Sequence, residues 1–309
     1  MTFIVGHSPW HADLGLLDFA AQLARVEGES LRVVVVVPDA WPTPVAGDTD
    51  RDYQLWSAQQ GSEGVAEAER VLADRSPDVN AEVVWQPGRS VPRVLLAQAE
   101  EHGATLIIVG SARHGPSGQI TVSSKTTRLL HSSPTAVAIV PRGYHAARGS
   151  SIERATCAFR GDEASRSTLA RSAEICRRTG CELRVVTFGV LGGRMYPPQV
   201  SGAEQMVLES WLESCSAAQQ DAIASLVAEG SLPADVVSAT AVGRSWSDAM
   251  DGLDWHRQDV LIVGSSPTGA FSRIFLGSSA GKIVRHASVP VIVVPWDPSE
   301  DNVSADALT

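Results

Sequence analysis

The sequence predicts an α/β protein built as two tandem, doubly wound domains, each a five-stranded parallel sheet with helices on both faces. Three observations carry this. Short β-branched runs alternate with stretches of helical period along almost the whole chain, which is the pattern of βαβ crossovers. The chain repeats itself: Leu106-Ile107-Ile108-Val109-Gly110-Ser111 overlays Val260-Leu261-Ile262-Val263-Gly264-Ser265 at an offset of 154, and the overlay runs without a gap to Val140-Pro141 over Val294-Pro295. Of the 32 positions from Gly110 to Pro141, eight are identical. Finally, 309 residues, 44% of them hydrophobic and 19% charged, are enough for two cores that need no disulfide or metal to hold them.

Each element follows from its local pattern. Thr2 to Val5 is a short apolar run. Ala12 to Val26 carries Leu16, Leu17, Ala20, Leu23 and Ala24 at helical spacing and is closed by Gly28. Leu31 to Val37 is a β-branched strand stopped by Pro38, and a helical pattern covers Arg51 to Asp74. Ala81 to Trp85, Val91 to His102, Thr105 to Val109, Ser124 to His131 and Ala136 to Val140 complete the first repeat as strand, helix, strand, helix, strand. The second repeat reads Ala155 to Phe159, Ser165 to Thr179, Leu183 to Phe188, Ala203 to Glu229, Asp235 to Thr240, Ser247 to His256, Asp259 to Val263, Ser278 to His286 and Val291 to Val294. The domains expected are therefore 1–145 and 152–296. Arg142 to Ser151 is the expected linker, and 297–309 an acidic, aromatic-free and disordered tail.

Charge and composition exclude several functions. Against 25 Lys and Arg stand 35 Asp and Glu, a net charge of −10, which disfavours nucleic acid because phosphate binding needs clustered cations. No apolar stretch approaches the roughly 20 residues of a membrane helix, and the N-terminus lacks the pattern of a signal peptide, so a cytoplasmic location is expected. Cys157, Cys176, Cys181 and Cys215 show no zinc spacing and read as reduced packing residues. His7, His11, His114, His131 and His286 sit on separate elements without i, i+4 pairing and read as surface, capping or packing groups, not a metal set.

In a doubly wound sheet, ligands bind beyond the carboxyl ends of the strands where the strand order reverses. The segment leaving the fourth strand of the second repeat runs from Gly264 through Ser265, Pro267 and Gly269 to Gly277-Ser278-Ser279, which open a helix. Glycine admits a phosphate close to the backbone, and the unpaired N–H groups and dipole of a helix start favour an anion. Ser278 and Ser279 add hydroxyls. The competing reading is that Gly264 only turns the chain and Ser278 only caps the helix.

This stretch resembles the universal stress protein (UspA) domain, in the tandem form of actinobacteria. The family signature is Gly, two residues, Gly, nine residues, then Gly-Ser/Thr. Gly264, Gly277 and Ser278 match it, and Pro267 replaces the middle glycine. Leu129-Leu130-His131 and Pro134 to Tyr144 resemble the end of a first domain in tandem members. The resemblance covers residues 1 to about 296. It implies Rossmann-like sheets of order 3-2-1-4-5, bound ATP with its accompanying Mg2+ in some members, and intramolecular pairing of the domains through the fifth strands. It leaves room for a homodimer and a protein partner.

Departures localise the expected site. Nucleotide-binding members carry an acidic residue at the end of the first strand, where Gly6 and Arg160 stand here. Arg160 either reaches a phosphate or fills the adenine position. In the first repeat Arg113 and Ser123 replace two signature glycines, so only Gly110 and Ser124 stay in register. The expected nucleotide site is thus Gly264, Ser265, Gly269, Gly277, Ser278, Ser279 and Arg160 in the second repeat, with the first degenerate. Gly277-Ser278-Ser279-Ala280-Gly281 matches the nucleophile elbow, but no acid lies between it and His286. Gly281-Lys282 lacks the remaining P-loop residues. A non-enzymatic, ATP-binding stress-response protein is expected. The alternative is a ligand-free interaction module.

Overall fold

The computed structural model describes residues 2–10, 14–39, 48–190, 201–233, 236–265 and 276–296. The chain divides into two compact units, Met1–Ser151 and Ile152–Thr309. The tail expected to be disordered lies outside the described residues, as do Ala12, Asp235, Pro267 and Gly269.

The first unit runs β1 (Thr2–His7), α1 (Leu14–Glu27), β2 (Ser30–Val37), α2 (Asp48–Arg75), β3 (Ala81–Pro87), α3 (Val91–Glu101), β4 (Leu106–Gly110), α4 (Ser124–Ser132) and β5 (Ala136–Val140). Its strands lie in the order β3-β2-β1-β4-β5, all parallel. The valine run of β2 is buried along its last five residues, as a strand covered on both faces must be. The edge strand β3 is nowhere fully buried. Phe19 of α1 is fully buried and meets the Tyr144 ring edge-on at 6.2 Å.

The second unit repeats the plan with β6 (Arg154–Ala158), α5 (Glu163–Thr179), β7 (Glu182–Val190), α6 (Ser201–Ala228), β8 (Val237–Gly243), α7 (Trp246–Asp251), β9 (Asp259–Gly264), α8 (Ser278–His286) and β10 (Val291–Val294). Its order is β8-β7-β6-β9-β10, again parallel and again the predicted 3-2-1-4-5.

Three of the differences from the sequence expectation have a tertiary reason. β1 continues to His7, because Gly6 and His7 remain in register with Val34 and Val35 of β2. α7 stops at Asp251 instead of His256. There the Trp255 indole N–H donates to the Met250 carbonyl at 2.8 Å and its ring lies under the Arg184 guanidinium at 4.6 Å, so an apolar residue that fits a helical period serves a loop. The expected linker is in part not one. Tyr144 and Ala146 are buried, the Tyr144 hydroxyl donates to Gln22 Oε1 at 2.6 Å, and Arg75 donates to the Ala146 carbonyl at 3.0 Å. Arg75 also grips the buried Asp18 carboxylate at 2.6 and 2.7 Å, which in turn accepts the Ala146 N–H at 3.2 Å. These bonds tie the chain after β5 to α1 and α2.

Candidate functional site

In each unit the first and fourth strands of the sheet are neighbours, and the connections leaving their carboxyl ends open a crevice. The two crevices differ in their described lining.

In the first unit it is a cleft of about 1310 Å3, reaching from Gly6, His7 and Trp10 to Gly110, Arg113, Ser123 and Lys125, with Arg142 to His145 along one wall. Small-molecule sites usually occupy about 300–1,000 Å3, so a nucleotide-sized ligand has room. The loop after β4 is held by its own chain. Ser111 Oγ accepts the Thr121 N–H at 2.8 Å, the Gly118 N–H donates to the Arg142 carbonyl at 2.8 Å, and the Arg142 guanidinium donates to the Gly115 carbonyl. Arg113, His114 and Ser117 are thereby presented to the cleft. Ser123 caps α4, accepting the Thr126 N–H at 3.1 Å, and Lys125 lies in the first turn. The first N–H groups of such a helix have no intrahelical partner.

The cleft is cationic. Arg113, Lys125 and Arg142 line it with His7, His114 and His145, and no Asp or Glu is among its described lining residues. None of the ion pairs among the described residues involves those three cations.

At the floor sits His7, 4% exposed, with neither ring nitrogen hydrogen-bonded. Burial lowers its pKa, and the Glu67 carboxylate opposes that only in part. A neutral imidazole offers one donor and one acceptor, and buried polar groups without partners are rare and costly. Gly6, which stands where an acidic residue was expected, packs against Leu95; a Cβ there would come within 2.8 Å of Leu95 Cδ1. The polar group ending the first strand is thus one residue further on.

The corresponding pocket of the second unit measures about 130 Å3 among the described residues. Of the residues predicted for it, Arg160, Gly264, Ser265, Gly277 and Ser279 line it, Ser278 does not, and Gly269 lies outside the described residues. Several are already engaged. Arg160 pairs with Asp162 at 2.9 Å, and Ser265 Oγ accepts the Trp296 N–H at 2.7 Å. Gly264 is required by packing, since a Cβ would lie 2.4 Å from Thr168 Oγ1. In the first unit Gly110 lines the cleft, whereas Ser124 is exposed and does not. Sequence reasoning missed His7, Ser123, Lys125, Arg142 and Tyr144 as cleft residues. A histidine ending a β-branched strand was the one local signal available.

Fold and site together define a doubly wound α/β protein of two duplicated parallel-sheet domains, each with a crevice at the carboxyl ends of its first and fourth strands. The profile of the universal stress protein family matches residues 3–141 and again 152–295, so the chain belongs to that family. It is similar to the universal stress protein Rv2319c of Mycobacterium tuberculosis, with 36% identity over 296 residues covering 96% of this chain and all of that protein. A universal stress protein of Mycolicibacterium smegmatis is 23% identical over 85% of each chain. Among solved structures, a universal stress protein from Archaeoglobus fulgidus superposes with a TM-score of 0.58 at 16% identity, covering 94% of this chain and 97% of that one. A universal stress protein from Pseudomonas aeruginosa gives 0.56 at 15% identity, covering 99% and 95%.

Proposed function

We propose that this protein binds an adenine nucleotide, ATP, in the cleft of its first unit, and that it retains the ligand without turning it over. The observation that carries the reading is His7, a buried and unpartnered imidazole on the floor of a 1310 Å3 cleft whose rim is cationic. In this reading Arg113, Lys125 and Arg142 neutralise the phosphates, assisted by the N-terminal N–H groups of α4. Trp10, Leu95 and Val36 offer apolar surface to the base, and His7 bonds to the uncharged part of the ligand. Mg2+ would arrive on the triphosphate. Arg113 stands where the family pattern has a glycine, so a side-chain cation takes over from close backbone approach. This assigns the ligand to the first repeat, where the signature is broken, and not to the second, where it is better preserved but Arg160 and Ser265 are already engaged with Asp162 and Trp296.

No described cleft residue combines a nucleophile with a positioned base, which supports a binding role over catalysis. Titrating ATP into the full chain tests the reading: one equivalent is expected to bind, and a parallel assay is expected to show no multiple turnover. Absence of binding heat together with clean apo protein in native mass spectrometry would turn the account toward a ligand-free interaction module.

A further inference from the structure

The sheet of the second unit ends on an edge strand without the usual guards. β8 pairs with β7 through consecutive partners, from Arg184 with Val237 to Val190 with Gly243, and no bulge interrupts the register. β7 is its sole partner among the described strands of the unit. Its residues, Val237-Ser238-Ala239-Thr240-Ala241-Val242-Gly243, include no charge and no proline. α7 covers one face at the carboxyl end, where Ala241 and Gly243 are buried and a Cβ on Gly243 would lie 2.3 Å from the Ala249 nitrogen. The other face, Ser238, Thr240 and Val242, is exposed throughout, and Val237 is 58% exposed at the start of the strand. β3, the matching edge of the first unit, is built differently. It carries Glu82 in an ion pair with Arg32, closes on Pro87, and is packed by α2 so tightly that a Cβ on Gly61 would come within 2.7 Å of the Trp85 ring. An open edge offers a row of backbone N–H and C=O groups to another strand, and charge, proline and covering helices are the devices that prevent such pairing.

We propose that β8 is a homodimer interface, at which a second copy of this chain adds its own β8 edge to edge and antiparallel, about a two-fold axis through Thr240. The self-complementarity of the strand identifies the occupant. About that axis Thr240 faces Thr240, Ala239 faces Ala241, Ser238 faces Val242 and Val237 faces Gly243. Each exposed valine therefore meets a small residue, and no like charges are opposed. Thr240 is the midpoint of the strand, so every residue of β8 finds a partner. The flanks set the sense of pairing. In the sequence Asp235 precedes the strand and Arg244 follows it, so antiparallel strands bring ends of opposite sign together, whereas parallel ones would bring like signs together. Two identical edges joined in this way close on each other and leave neither for a third chain. This inference is independent of the nucleotide reading.

Sedimentation of the full chain from micromolar to near-millimolar concentration tests the inference. The mass should rise from one chain to two as concentration increases. Thr240→Lys and Val242→Lys, both at exposed positions, should hold the protein at one chain over the same range, while Ala66→Lys, exposed on α2 of the first unit, should leave the shift unchanged. Circular dichroism and thermal unfolding of the β8 variants should match the wild type at low concentration, which separates loss of the interface from loss of the fold. Cysteine pairing reads the axis. Under mild oxidation Thr240→Cys should give a disulfide-linked dimer, beyond the wild-type background and reversed by dithiothreitol, whereas Ser238→Cys, which faces Val242, should not. One chain at every concentration would overturn the proposal. So would a dimer that survives both β8 lysine variants, or crosslinking of Ser238→Cys in place of Thr240→Cys.

Discussion

Replacing His7 with leucine should stabilise the empty protein while weakening its ligand. Both ring nitrogens of His7 lack partners at 4% exposure. A buried polar group left unsatisfied costs about 1–3 kcal/mol. The imidazole is neutral and charged groups account for the costlier cases, so the lower half of that range applies. His7→Leu should therefore raise the stability of the first unit by about 1–2 kcal/mol, or about 3–6 °C for a unit of this size. The loss of one neutral hydrogen bond to ATP, worth about 0.5–1.5 kcal/mol, should weaken binding about 2- to 13-fold. The pH dependence has a definite sign. Burial lowers the pKa of His7 from its ordinary value of 6.5, so both states are neutral above that pH and the wild type suffers no titration penalty. As pH falls below about 6.5 the unfolded chain takes up a proton that the native state resists. The wild type then loses up to about 1.4 kcal/mol per pH unit until the lowered native value is reached. The variant has no such group, so its advantage should widen in acid. Urea unfolding of both proteins near neutral pH and near pH 5.5, with calorimetric titration of ATP, measures all three effects. A variant less stable than wild type, or an advantage that does not change with pH, would refute the reasoning.

Other perturbations follow from the same structure. Asp18→Ala strips Arg75 of its bidentate partner; with Arg75 partly hydrated, the cost should be about 2–3 kcal/mol, below the usual range for breaking a buried pair, and thermal unfolding reads it directly. Gly15→Ala puts a Cβ 2.2 Å from the Tyr144 carbonyl oxygen and should cost about 1–3 kcal/mol while loosening the cleft wall, seen as faster hydrogen exchange around His145. Arg113→Ser and Lys125→Ser should each weaken ATP about 3- to 10-fold, and affinity should fall as salt is raised, because both cations are exposed at the rim. Salt-independent binding would speak against a phosphate role for them.

Much of the fold was legible because its signals are local. The valines of β2, the apolar spacing of α1 and the offset of 154 between the repeats each declare themselves within a few residues or by simple overlay. The errors come from distant partners. Trp255 fits a helical period until Arg184 is seen above it, and Tyr144 looks like linker until Gln22, 122 residues earlier, supplies a bond to its hydroxyl. The site was harder still. A family pattern points to the loop whose glycines survive, yet Gly264 is kept by the nearness of Thr168. Arg113 breaks the pattern and lines the larger cleft. Cleft volume is set by how helices and loops sit on the sheet, and that is a property of the folded chain alone.

Hydrogen exchange of the full chain with and without saturating ATP tests the placement of the ligand most directly. The account predicts slowed exchange at His7 to Trp10, along the loop from Ser111 to Gln119 and in the first turn of α4, with little change from Gly277 to Gly281. Protection confined to Gly264 and the start of α8, with the first unit unaffected, would contradict it.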